Sequence, residues 1–191
     1  MSDKIVEDKI QECTKYTKPE IDLSDLKLTE IPDLSYLWWV EKIDLSGNLI
    51  REVPRNRFPN NVKVLFLNQN KLKSIKHTGV PEGVEALNLM SNEIKEFDGT
   101  NFKKLTKLNI SVNCLDTFYF PPNIIKADIS TNQLTSVDDL PETLLRLHCE
   151  DNKLSSFTYM NNNLQYIDMS DNEFSELPNF PESIEVIIAK N

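Results

Sequence analysis

The run His148-Cys149-Glu150-Asp151 places an imidazole, a thiol and two carboxylates on consecutive residues. Zinc sites and activated nucleophiles are built from these side chains, provided that three or four of them converge on one point. Elsewhere Asp22 and Asp44 offer a carboxylate pair of the kind that hydrolyses glycosides when held at a fixed separation. Whether either set can act depends on which side chains point the same way, and that is decided by the elements carrying them.

Those elements are set by a repeat. Asn48, Asn70, Asn92, Asn113, Asn132, Asn152 and Asn172 follow one another at intervals of 22, 22, 21, 19, 20 and 20 residues, by subtraction of their numbers. Each sits in the same apolar frame, for instance Val84, Leu87, Leu89, Asn92, Ile94 and Phe97, or Leu144, Leu147, Cys149, Asn152, Leu154 and Phe157. An imperfect unit with Ile21, Leu23, Leu28 and Ile31 precedes them and has Leu26 at the asparagine position. A truncated unit with Ile184, Ile187 and Ala189 follows. A period of this size is the signature of a solenoid, which offers a long surface rather than one enclosed pocket.

The L-x-L portion of each frame reads as a short strand, whose apolar residues face the interior and whose alternate residues face out. Stacked repeats place these strands about 4.8 Å apart in one parallel sheet. The asparagine follows the strand, where the chain turns inward. Its amide carries both donors and an acceptor, so a ladder of asparagines can satisfy backbone groups that the turn would bury. The return segments carry proline just before the next strand, as in Phe58-Pro59, Val80-Pro81, Phe120-Pro121-Pro122, Leu140-Pro141 and Phe180-Pro181. Proline fixes φ and removes a donor, so extended rather than helical backs are expected.

The frame L-x-x-L-x-L-x-x-N-x-L-x-x-L resembles the leucine-rich-repeat family over residues 20–191. The P-x-x-L spacing is similar to the short repeats of bacterial type III effectors and of amoebal and giant-virus proteins. The resemblance implies an α/β solenoid: a right-handed horseshoe with a concave parallel sheet and a mostly extended, irregular convex side. It covers repeats only, with no ubiquitin-ligase or other effector domain. Residues 1–19 lie outside the repeat, and Ile5, Val6, Ile10 and Cys13 fall near helical spacing. They predict an N-terminal helix capping the open end of the stack. Residues 20–191 then form about eight to nine repeats, the last truncated.

The chain has 191 residues and a net charge of −9, which opposes nonspecific nucleic-acid binding. No apolar run reaches the length of a membrane span, and the start lacks a signal-peptide core. The three cysteines, Cys13, Cys114 and Cys149, are scattered and odd in number, as suits a reducing compartment. A cytoplasmic location is expected, which for an effector means the host's cytoplasm. Lysines outnumber arginines and asparagine is abundant, a composition compatible with an AT-rich genome.

Alternation assigns the outward side chains to three rows. Val64, Phe66, Ala86 and Met90 form an apolar island, either a partner site or a surface covered by the cap or a loop. Lys107, Lys126 and Arg146 run along the first row beside His148 and Tyr166, either a basic strip for an acidic segment or a solvated face. Val186 and Ile188 make the last strand apolar on its outer face as well. That edge either pairs with a second copy or is protected by Glu185, Lys190 or a loop. Of Trp38 and Trp39, one is placed to bury and the other to reach the rim.

The same alternation breaks up the opening run. Cys149 occupies an inward position, away from His148 and Glu150, and reads as a small core hydrophobe. The other histidine, His77, belongs to a return segment. Asp22 and Asp44 lie on an open face with no glycine-rich loop to desolvate them. No catalytic residue, metal or cofactor is expected, and the frame points to a protein-binding module acting through its concave face. A host-directed effector occupying a signalling protein, or the targeting arm of an enzyme complex, are the alternatives.

Overall fold

The computed structural model of the protein describes residues 2–75, 79–137 and 139–190. His77 lies outside them. The chain begins with helix α1 (Ser2–Tyr16) and continues through eleven three-residue strands. These are β1 (Glu20–Asp22), β2 (Lys42–Asp44), β3 (Val64–Phe66), β4 (Ala86–Asn88), β5 (Glu96–Asp98), β6 (Lys107–Asn109), β7 (Thr117–Tyr119), β8 (Lys126–Asp128), β9 (Arg146–His148), β10 (Tyr166–Asp168) and β11 (Val186–Ile188). Nine of them form one parallel sheet in the order β1-β2-β3-β4-β6-β8-β9-β10-β11, and β5 pairs with β7 in a second sheet.

Each coil of the solenoid is closed by two local devices. Before most strands of the large sheet, a backbone N–H three residues on donates to the carbonyl at the proline position. Val84 N reaches Pro81 O at 3.2 Å, Ile124 N reaches Pro121 O at 3.3 Å and Leu144 N reaches Pro141 O at 2.9 Å. Val40 N does the same to Leu37 O at 2.9 Å, so the turn survives without proline. Asn161 stands at this position in its own repeat and is fully buried. Its Nδ2 donates to Leu144 O at 3.1 Å and its Oδ1 accepts from Asn163 N at 2.8 Å.

After β1, β2, β3, β4, β6, β8, β9 and β10 the chain turns through a left-handed residue. Asp25, Gly47, Gln69, Ser91, Val112, Thr131, Asp151 and Asp171 all have φ between 50° and 65°. Only one is glycine, and Val112 and Thr131 are β-branched, for which this region is strained. The residue that follows is the ladder asparagine. Asn70 Oδ1 accepts from Ile50 N of the preceding coil at 3.0 Å. Its Nδ2 donates to Leu45 O of that coil at 2.9 Å and to Leu67 O of its own at 3.1 Å. Asn48, Asn92, Asn113, Asn132, Asn152 and Asn172 repeat this pattern. The first unit has Leu26 instead, and Asn48 Oδ1 accepts from both Leu26 N at 3.1 Å and Leu28 N at 2.9 Å.

The core is the column enclosed by these coils, with Ile43, Leu45, Leu65, Leu67, Leu89, Leu147 and Ile167 among its sealed side chains. The back is irregular except where β5 and β7 pair, Phe97 against Phe118. Phe97 stacks between Phe102 (5.8 Å) and Phe118 (5.5 Å), and Phe118 meets Phe120 edge-on at 4.8 Å. Gly99 lies here because Tyr119 O and Pro121 approach its Cα too closely for a side chain.

Helix α1 covers one end of the column. Val6 and Cys13 are buried and Ile10 is partly so, whereas Ile5 points to solvent. Thr17, at φ 48°, ends the helix, and Lys18 N donates back to Cys13 O at 3.1 Å, a left-handed C-terminal cap. Among the described residues, no helix is long and apolar enough to cross a membrane.

Candidate functional site: the outer face of the sheet

Cross-strand pairing puts the outward rows into register. Glu20, Lys42, Val64, Ala86, Lys107, Lys126, Arg146, Tyr166 and Val186 stand side by side, and so do Asp22, Asp44, Phe66, Asn88, Asn109, Asp128, His148, Asp168 and Ile188. Lys107, Lys126 and Arg146 are adjacent and exposed, like charges that nothing in the row separates. Val64, Phe66, Ala86 and Met90 are half-buried on β3 and β4. Among helices and strands, α1 touches β1 alone, so the cap does not reach this apolar group.

Most acids of the second row have local work. Asp22 Oδ1 accepts from Ser24 N at 2.9 Å and Ser24 Oγ at 2.7 Å. Asp44 with Ser46, Asn109 with Ser111 and Asp128 with Ser130 repeat the arrangement. The Ser24 hydroxyl, then its N–H, hold the Asp22 carboxyl below the usual aspartate range. These carboxylates brace the strand ends. The glycosidase-like look of Asp22 and Asp44 is thus a by-product of an Asp-x-Ser turn, a signal present in the sequence at Asp22-Leu23-Ser24 and Asp44-Leu45-Ser46.

At β9 the pattern changes. His148 and Glu150 replace the Asp and Ser of the neighbouring coils. Cys149 between them points into the core, buried, its Sγ donating to Asp168 O at 3.1 Å. Burial, reinforced by Glu150 and then Asp168, pushes its thiol well above the ordinary range, so it is an inert hydrophobe. Asp151 occupies the left-handed turn. The opening run is therefore divided as alternation requires. Register pairing of β9 with β10 brings Asp168 beside His148 and Glu150. One ligand atom from each of His148, Glu150 and Asp168 lies within 4.8 Å of the others. Sequence reasoning missed this because the neighbour is a strand away.

Tyr166 packs on His148 with ring centroids 4.8 Å apart, and the Arg146 guanidinium lies over the Tyr166 ring at 5.8 Å. At the other end, Lys42 Nζ meets Glu20 Oε2 at 2.9 Å across β1 and β2. Trp38 is exposed and Trp39 half-buried, edge to face at 5.7 Å. On the back, a hollow of about 440 Å³ opens between Arg55, Val80, Phe97, Phe102 and Tyr119.

The outer strand β11 is bare. Val186 is 43 % exposed, Ile187 41 % and Leu177 64 %, although Ile187 and Leu177 hold inward positions of the frame. They are exposed because, among the described residues, no coil lies against their outer side.

Known proteins place this architecture. The Leucine Rich Repeat family pattern matches residues 163–184. No curated protein matches the chain in sequence. Among solved structures, YopM from Yersinia enterocolitica WA-314 superposes with a TM-score of 0.85 at 27 % identity, covering 96 % of this chain and 40 % of that one. YopM from Yersinia pestis, a leucine-rich effector protein, gives 0.81 at 25 % identity over 91 % of this chain and 48 % of its own. Internalin C2 from Listeria monocytogenes gives 0.72 at 21 % identity over 90 % and 80 %. The chain thus spans less than half the length of either YopM structure. With the asparagine ladder, the nine-stranded parallel sheet and these superpositions together, the chain has the leucine-rich-repeat fold, a parallel sheet stacked as a solenoid behind one N-terminal helix.

Proposed function

We propose that the chain is a non-catalytic protein-binding module that captures a partner protein across the concave face of its sheet. The observation that carries this reading is the group Val64, Phe66, Ala86 and Met90, apolar, outward-facing and covered by neither the cap helix nor another strand. Lys107, Lys126, Arg146, His148 and Tyr166 extend the contact surface. A sheet held by its own ladder is preorganised, so little ordering cost falls on association. Leucine-rich-repeat folds are typical of such modules. The test is affinity capture from lysate of the native source with the wild-type chain and with a Phe66→Ala, Met90→Ala double variant. Retention of the same partner at unchanged affinity by the variant would sink the assignment to this face.

A second reading rests on the likeness to YopM at 27 % identity. In it the chain, alone or as part of a longer protein, works in a host's cytoplasm by occupying a signalling protein. Detection of the protein in fractionated host cytosol supports it, and confinement to the producing cell removes it. The targeting arm of an enzyme complex would instead appear in the capture experiment as an associated enzyme. A further proposal concerns the bare strand β11, which can pair with a second copy through Val186 and Ile188. Sedimentation showing only monomer at high concentration removes that idea.

A further inference from the structure

We propose that His148, Glu150 and Asp168 form a site for a divalent transition metal ion of the zinc type, on the outer face between β9 and β10. Three observations converge. First, one ligand atom from each residue lies within 4.8 Å of the other two, an imidazole nitrogen and two carboxylate oxygens. Ligands at about 2.0–2.2 Å from zinc sit roughly 3.4 Å apart in a tetrahedron, so modest side-chain rotations close the set. Second, Glu150 Oε2 is shielded from solvent and, among the described residues, accepts no hydrogen bond. His148 Nδ1 lies 3.8 Å from it, too far for one. The Glu150 side chain as a whole is 33 % exposed, so a cation arriving from solvent can reach this shielded oxygen and satisfy it. Third, within its own row His148 is flanked by acids on both sides. Asp128 stands in register with His148 on the other side, and among the described residues no lysine or arginine forms an ion pair with Glu150 or Asp168.

Supporting contacts are in place. Asp168 Oδ1 accepts from Ser170 N at 3.1 Å, which orients the carboxylate and leaves its other oxygen free for a metal. The Tyr166 ring against His148 restricts the imidazole. One nitrogen and two oxygens suit zinc or its neighbours better than calcium, which takes six to eight oxygens. A tetrahedral ion would keep one position open toward the face, for water or a donor from outside. The site shares His148 with the proposed contact surface, but it is tested with the metal ion alone, so either reading can fail without the other.

The test is titration of the purified, metal-free chain with Zn²⁺ and with Ca²⁺ by calorimetry, and with Co²⁺ by visible absorption. Glu150→Gln and Asp168→Asn are the variants. Both are near-isosteric, and Asn109 with Ser111 shows that an asparagine can serve the same turn. Zn²⁺ should bind and raise the Tm of the wild type, with affinity falling at least about tenfold in each variant, or about 1.4 kcal/mol. Co²⁺ should give ligand-field bands without a thiolate charge-transfer band. No Zn²⁺ binding, wild-type affinity in both variants, a thiolate band from the cysteines, or a preference for Ca²⁺ would each overturn the proposal.

Discussion

The two ends of the stack carry the same frame and meet opposite fates. At the start, Ile21 and Leu23 are buried, with α1 laid across them through Val6, Ile10 and Cys13. At the far end, Ile187, at the frame position of Ile21, and Leu177, at that of the buried Ile31, are exposed. The residue types hardly differ. Burial in a solenoid is conferred by the next coil rather than by the residue, so stability is spread as a chain of neighbour-to-neighbour terms.

That comparison can be broken by substitution. Leu147→Ala, sealed between coils, should cost about 2–5 kcal/mol in denaturant unfolding, whereas Ile187→Ala at the bare end should cost under about 1 kcal/mol. Equal losses would mean that the end is covered in solution. The ladder gives the next largest contrast. Asn70→Ala leaves the buried Ile50 N–H without its acceptor, while Leu45 O and Leu67 O keep the amides of Asn48 and Asn92, and should cost about 1–3 kcal/mol. Asn172, half-buried beside the bare end, should cost roughly half as much. In the opposite direction, Val112→Gly relieves a β-branched residue at φ 55° and should raise stability by about 1 kcal/mol. Gly47→Ala should lower it, since a Cβ there meets the Asp25 carboxyl.

The smallest effect is in acid. Asp22 has its folded-state pKa lowered from 3.8, so the stability it lends is present above that value and is lost as pH falls through the folded pKa. Asp22→Asn keeps an acceptor for Ser24, so it should flatten the acid limb of the stability profile without changing the neutral plateau much. An unchanged acid limb would show that the Ser24 contacts do not persist in solution.

Much of this architecture could be read from residue spacing. Alternation within Leu87-Asn88-Leu89 specifies which side chains leave the core, and the constant offset to Asn92 aligns one strand with the next. Three features escaped it, each for a physical reason. Pairing of Phe97 with Phe118 depends on aromatic packing behind the sheet, where the frame imposes no alternation. Burial of Asn161 reflects an amide replacing proline at a turn, visible only when the repeats are laid beside one another. The meeting of Asp168 with His148 and Glu150 is a relation between strands, and a local motif search scans along one.

The left-handed turn and asparagine ladder also bear on how such a protein could change length. Every coil uses the same backbone join, so duplicating or excising one whole unit leaves both flanking joins intact. Such an event between β9 and β10 would leave the scaffold sound yet move Asp168 about 4.8 Å sideways for each added strand. Fold and site therefore have different tolerances to recombination: the stack accepts whole units at any joint, whereas chemistry that spans two strands survives only if no unit enters between them.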